Sequence, residues 1–161
     1  MKKMSIGVLV VLALGLAFGQ SVVAGPNPPP QDVDPTPFVI PAGSVFGECA
    51  FDVEAAFTGK AKTIDLPGDA FIFTSPGVHV TLTNLDNLKQ VTLNITGVFH
   101  QTIKANGDVV TVVTGRNLLG DPVAGFVLAI GNFSFVFDAG GTLIQPLKGK
   151  GKLTDVCGLI D

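Results

Sequence analysis

The sequence lacks tryptophan and tyrosine, and only 14% of its 161 residues are charged. A disordered chain needs few apolar residues and a high net charge, so 47% hydrophobic residues and a formal charge of −3 exclude that class. Arginine occurs once, at Arg116. This argues against a nucleic-acid binder, because phosphate recognition needs clustered arginine and lysine. The absence of tryptophan and tyrosine also disfavours a carbohydrate-binding module, because such modules stack sugars on aromatic rings that carry a polar group.

Motifs that mark familiar enzymes are also absent. There is no Gly-x-Ser-x-Gly elbow, no His-Glu-x-x-His, no Cys-x-x-Cys and no glycine-rich phosphate loop. We therefore expect no cofactor and no bound metal, and we disfavour a hydrolase of a common type.

The N-terminus has the plan of a secretory signal peptide. Lys2 and Lys3 precede an apolar run that ends at Phe18, and Val22 and Ala24 fill the small-residue positions of a cleavage site. We predict a signal peptide over 1–24, removed after Ala24, which would take the net charge from −3 to −5 because the segment holds two lysines and no acid. The alternative is an uncleaved anchor, but a membrane span usually needs about 20 apolar residues. We expect a secreted or envelope-held protein that meets the membrane only during export.

Residues 25–44 are rich in proline. Six prolines lie between Gly25 and Pro37, which favours an extended, polyproline-like chain. We interpret 25–44 as a spacer, and recognition by a proline-reading partner is the alternative.

Residues 45–161 read as a single β domain. Short runs of alternating apolar residues recur, beginning with Cys49, Phe51 and Val53 and including Phe133 and Phe135, and turn signals separate them. The strongest turn is Asn106-Gly107, since both residues tolerate the positive φ of a tight hairpin. About eight to ten strands at this spacing predict an all-β, antiparallel barrel or sandwich.

The two cysteines stand near the two ends of this domain. Cys49 opens its first strong strand and Cys157 closes its last. An even cysteine count in an exported chain predicts a disulfide rather than two free thiols, and entropy models assign such a long loop about 4–5 kcal/mol. A bond between first and last strands would make them neighbours, so we favour a closed barrel over an open sandwich. The dipeptide Thr-Gly also recurs, at 58–59, 96–97 and 114–115, and glycines inside strands mark bends.

Few residues are candidates for chemistry. Strand parity directs His79 and His100 outward, where they could share a face and act as acid and base or hold a metal with a carboxylate; the alternative is two solvated histidines. Arg116 could bind an anionic ligand, although pairing with Asp121 or Asp138 serves structure equally well.

Asp52 and Glu54 lie on the outer face of the first strand. They form a candidate carboxylate pair or, more simply, a charged edge that resists aggregation.

Phenylalanine is the abundant aromatic, and eight rings fall on the inferred inward face. Two interpretations stay open: a packed aromatic core, or a barrel that encloses a small apolar ligand. The eight are Phe51, Phe57, Phe71, Phe73, Phe99, Phe133, Phe135 and Phe137.

Several short motifs resemble those of secreted proteins common in actinobacteria and related soil bacteria. They include Cys49-Ala50-Phe51, Thr74-Ser75-Pro76-Gly77, Leu93-Asn94-Ile95-Thr96-Gly97, Thr114-Gly115-Arg116-Asn117 and Asp155-Val156-Cys157. The likeness covers roughly residues 47–161. It implies an exported bacterial protein and assigns no activity.

The sequence therefore favours a secreted, non-enzymatic module that binds a small apolar ligand or a component of the cell envelope. One alternative is a barrel isomerase or cyclase that uses His79, His100 or Arg116. Another is an inhibitor or interaction protein that works through an exposed loop over 117–125.

Overall fold

A computed structural model describes residues 28–44 and 49–161. The predicted signal peptide and its cleavage site lie outside these residues. The elements are β1 (Gln31–Asp32), β2 (Phe38–Ile40), β3 (Val53–Thr58), β4 (Lys60–Leu66), β5 (Ala70–Thr74), β6 (His79–Asn84), β7 (Gln90–Asn94), β8 (Gly97–Ile103), β9 (Val109–Asp121), β10 (Gly125–Phe137), β11 (Leu143–Asp155) and α1 (Cys157–Ile160).

The strands form two antiparallel sheets. One has seven strands in the order β1-β4-β5-β8-β9-β10-β11, and the other has four in the order β2-β3-β6-β7. The predicted all-β antiparallel class is therefore confirmed, with the sandwich as the arrangement found. The preference for a closed barrel was wrong, because these two sheets do not join into a cylinder.

The disulfide is present, but it does not join neighbouring strands. Cys49 and Cys157 are bonded, with their Cα atoms 5.3 Å apart. Cys49 precedes β3, and Cys157 opens α1 after β11 has ended. Because each cysteine lies outside its strand, the bond does not require β3 and β11 to be neighbours, and they belong to different sheets. A disulfide of this kind is typical of an oxidising, extracellular environment.

Between β3 and β8 the chain passes three times from one sheet to the other at a corner. β3 continues into β4 at Gly59, β5 into β6 through residues 75–78, and β7 into β8 through residues 95–96. Two corners are tied together by Ser75, whose Oγ donates to the Ile95 carbonyl at 2.7 Å and accepts from the Gly97 N–H at 3.1 Å. Strands that change sheets at bends are the usual corners of packed sheets.

A line of glycines bends the larger sheet. Gly97, Gly115, Gly131 and Gly151 lie opposite one another on successive strands β8 to β11. Gly115 has φ +86°, and a Cβ there would lie 2.9 Å from the Thr96 carbonyl oxygen; a Cβ on Gly131 would lie 2.7 Å from Gly151 Cα. Only glycine permits this close approach of backbones.

Two cores result from this arrangement. The first lies between the sheets and holds Val53, Phe57, Val80 and Leu82 with Leu128 of β10. In the second, both halves of β10 pack together: Val127 and Ala129 before Gly131, and Phe133, Phe135 and Phe137 after it. The Asp121 carboxylate at the end of β9 accepts from the Leu147 N–H at 3.3 Å, which joins the turn end of the β9–β10 hairpin to the far half of the sheet.

The predicted spacer lies along the domain in the part described. Gln31 and Asp32 pair with Ala61 and Lys60, and residues 38–40 pair with β3. Val33 and Ile40 are buried in the first core. The extended conformation follows from the prolines, while these two apolar side chains hold the segment on the domain. Within it, the Thr36 N–H donates to the Asp34 carboxylate at 2.9 Å and lowers the pKa of that carboxyl below its ordinary value.

The C-terminus is held by a buried amide. Asn84 Nδ2 donates to the Ile160 carbonyl at 2.9 Å, and its Oδ1 accepts from the Asp86 N–H. Residues 85–87 form a turn between β6 and β7. No helix of the described residues is long and apolar enough to span a membrane.

Candidate functional site

The two histidines lie on the outer faces of different sheets. His79 is exposed on β6 of the four-stranded sheet beside buried Val80, and His100 is exposed on β8 of the seven-stranded sheet beside Phe99. Parity predicted the outward direction of each correctly. The shared face is not found, because the chain changes sheets between Asn94 and Gly97 and the alternation continues on the other side of the molecule.

Arg116 contacts His79 only through an asparagine. Arg116 Nε donates to the Asn94 carbonyl at 3.2 Å, and Asn94 Nδ2 lies 3.4 Å from His79 Nε2. All three groups are solvent-accessible, and no carboxylate is bonded to them among the described residues. These contacts join strands of the two sheets at a corner, and they provide no acid-base pair.

The predicted partners of Arg116 have other roles. Asp121 Oδ1 accepts from the N–H groups of Val123 and Ala124, both at 2.8 Å. Asp138 Oδ1 accepts from two N–H groups of its own turn, at residues 140 and 142. Each carboxylate thus stabilises a hairpin turn, and neither is paired with Arg116. The predicted loop over 117–125 is accordingly strand as far as Asp121, followed by a three-residue turn.

The remaining charged candidates also form no site. Asp52 is exposed and accepts from the Ala42 N–H at 2.8 Å, while Glu54 is half-buried in β3. Across residues 28–44 and 49–161, no three histidine, cysteine or acidic residues are grouped so as to hold a metal ion.

The interior is filled by the phenylalanines. Phe51, Phe57, Phe133, Phe135 and Phe137 are buried, and the other three rings of the predicted set are half-buried. A cavity of about 40 Å³ remains between the sheets. A drug-sized ligand needs several hundred Å³, so of the two interpretations the structure favours the packed core.

The same cavity has one unusual polar atom. Asn117 is buried and lines the space together with Ser75, and its Oδ1 has no hydrogen-bond partner. A space of this size with a free acceptor is suited to a buried water molecule rather than to an organic ligand.

The outer face of the larger sheet is the surface that the sequence did not reveal. Two rungs of paired residues cross β4, β5, β8, β9, β10 and β11, and we call these twelve residues the basic face. The first rung is Lys62–Thr74–Val98–Thr114–Asn132–Lys150, and the second is Ile64–Ile72–His100–Val112–Ser134–Lys148.

The basic face is both cationic and apolar. It contains three lysines and His100 and no acidic residue. The aliphatic residues at its centre, including Ile72, Val98 and Val112, are half-buried and belong to neither core. This is an unpartnered surface on a chain whose net charge is negative.

A groove lies beside the first rung of this face, at the corner where the chain changes sheets. Its volume is about 240 Å³, and it is lined by Thr74, Pro76, Thr96, Gly97, Val98, Thr114 and Gly115. Gly97 and Gly115 contribute only backbone atoms to this lining, and the threonine side chains provide hydroxyl groups. The glycines that bend the sheet therefore also shape its outer surface.

The sequence contained a signal for part of this surface. Lys148, Lys150 and Lys152 alternate with glycine, which places three lysines on one side of a strand. Their relation to Lys62 depends on strand order, which no local pattern determines.

Comparison with family models, curated proteins and solved structures finds no match to this chain. The resemblance to secreted actinobacterial proteins stays a prediction.

Proposed function

We propose that this chain is an exported, non-enzymatic module that binds a component of the cell envelope on its basic face. The observation that carries the proposal is the basic face itself, with its row of half-buried aliphatic side chains and the groove beside its first rung. Contiguous apolar surface that no core covers is typical of a binding site. Export is supported by the disulfide and by the predicted signal peptide.

The arrangement of polar groups favours binding over catalysis. An acid-base enzyme needs its groups within hydrogen-bond reach of one reacting atom. His79 and His100 are on different sheets, and Arg116 bonds to a backbone carbonyl. A ligand enclosed by the sheets is disfavoured by the small cavity.

The experiment measures retention of the purified chain on an envelope fraction from the cells that produce it. Thr114→Phe fills the groove without a change of charge, and Thr92→Phe is its matched control, since Thr92 is an exposed strand residue on the smaller sheet. We expect Thr114→Phe to lower retention about tenfold or more and Thr92→Phe to leave it within about twofold, because only the first blocks the groove.

Two results would contradict the proposal. Equal retention of both variants and the unchanged chain would remove the groove from the binding surface. Loss in Thr92→Phe alone would assign binding to the smaller sheet. Far-UV circular dichroism confirms that each variant is folded.

A further inference from the structure

We infer that the partner of the basic face is a linear polyanion, an extended polymer that carries repeated phosphate or carboxylate groups. This inference rests on the proposed function and adds the chemistry of the partner. Its basis is the distribution of charge on the larger sheet.

Cationic groups stand at both margins of the face. Lys62 lies at one end of the first rung and Lys150 at the other, with Lys148 one rung further along β11. Five strand spacings separate the ends, or about 24 Å. Lys152 continues the row on β11 and is exposed, so lysines recur there about every 6.6 Å.

The nearest carboxylates are occupied. Asp32 of β1 lies 3.8 Å from Lys60 Nζ and forms an ion pair with it. Asp155, at the end of β11, accepts from the N–H groups of Cys157 and Gly158 at 3.0 and 3.2 Å. None of the lysines of the basic face forms an ion pair with a carboxylate in the described residues, so their charge is available to a partner.

The shape and the exposed side chains of the basic face are better suited to binding a polymer than to binding a membrane surface. Binding to a bilayer surface usually inserts large apolar side chains below the headgroups. The exposed large apolar residues, such as Leu88, Val123 and Ile144, all lie outside the two rungs. Between the lysines lie instead a groove with threonine hydroxyls and the exposed amide of Asn132, which can donate hydrogen bonds to anionic oxygens.

Lysine, as opposed to arginine, suits such a partner. Its ammonium is a compact point charge on a flexible stem, which follows repeated anionic groups without a fixed two-pronged geometry. If about three such groups are neutralised, the affinity is predicted to fall about 20- to 40-fold when the salt concentration rises from 50 to 200 mM.

The test uses fluorescently labelled linear polyphosphate and the full exported chain, with anisotropy as the measurement. Lys150→Glu is expected to weaken binding about tenfold at low salt, since it replaces an attraction by a repulsion. Lys89→Glu is the matched control: it changes net charge equally, but Lys89 lies in the turn beside α1. Lys150→Gln serves as a milder variant if the reversal disturbs folding. Lys62→Glu is expected to weaken binding as well, because the polymer crosses the groove.

Each other outcome overturns the inference. If Lys150→Glu and Lys89→Glu weaken polyphosphate binding by the same factor, binding depends on net charge alone and not on the basic face. Tighter binding to phosphatidylglycerol vesicles than to polyphosphate would assign the face to a membrane. If polyphosphate does not bind while Thr114→Phe still abolishes retention on envelopes, the surface stands and the polyanion is wrong. Aggregation of Lys150→Glu with unchanged affinity would identify the lysines as protection of the sheet edge.

Discussion

Gly115 of β9 lies directly opposite Gly131 of β10, and both have backbone angles that favour glycine. Their register with Gly97 and Gly151 lets four strands bend at one level. Residues on either side of the bend then pack in one core, while Gly97 and Gly115 also line the groove on the outer face. One glycine row thus contributes to both the interior and the binding surface.

The first prediction concerns this row. Gly115→Ala is expected to lower the free energy of unfolding by about 3 kcal/mol or more. The new Cβ would clash with the Thr96 carbonyl oxygen, and alanine is also unfavourable at the positive φ of this position. Gly141→Ala is the matched control, with a similar φ of +80° but open space around it, and about 1 kcal/mol is expected. Denaturant unfolding measures both. Equal losses would mean that the close approach of strands is not what requires glycine.

A second prediction tests the buried amide at the C-terminus. Asn84→Ala removes the donor to the Ile160 carbonyl and the acceptor for the Asp86 N–H, so we expect a loss of about 2–3 kcal/mol. Asn87→Ala is the control, since Asn87 donates to the same carbonyl at 3.4 Å and accepts from the Lys89 N–H at 2.8 Å but is exposed; about 1 kcal/mol or less is expected because water replaces both bonds. Thermal unfolding compares the two variants. A larger loss for Asn87→Ala would contradict the role of Asn84.

Third, the disulfide is expected to be fully formed and stabilising. Alkylation without reductant should label neither Cys49 nor Cys157. The variant with both cysteines changed to serine should lose about 4 kcal/mol by the chain-entropy model. Labelling of both thiols in the native protein, or an unchanged unfolding midpoint in the variant, would contradict the bond or its contribution.

Fourth, the protein is expected to carry no apolar ligand. The cavity of about 40 Å³ beside Phe57, Phe73 and Phe99 is too small for a lipid chain. Native mass spectrometry of the exported protein should give the mass of the chain without an added lipid, and Phe57→Ala should lose about 3–5 kcal/mol of stability because it leaves a void in the core. An added mass in the native spectrum that disappears after extraction with organic solvent would support the enclosed-ligand interpretation instead.

Local patterns predicted much of this fold. Alternation located the strands and directed Phe133, Phe135 and Phe137 inward, the Asn106-Gly107 turn joins β8 and β9, and the cysteines are bonded. The strands and the turn depend on residues close together in sequence, and two cysteines allow only one pairing within the chain.

What local patterns could not supply was the path of the strands between sheets. The change of sheet before Gly97 separates His79 from His100, and the turns at Asp121 and Asp138 occupy the carboxylates expected for Arg116. The rung from Lys62 to Lys150 joins residues from six strands, so it exists only once strand order and register are known.

The most direct test of the binding surface is a map of amide chemical shifts by NMR as soluble polymer released from the envelope is added to the labelled protein. The account predicts that the largest changes cluster at Thr74, Val98, Thr114 and Lys150, with Thr81 and Thr92 unaffected. Changes centred on Thr81 and Thr92, or on the interior phenylalanines, would contradict it.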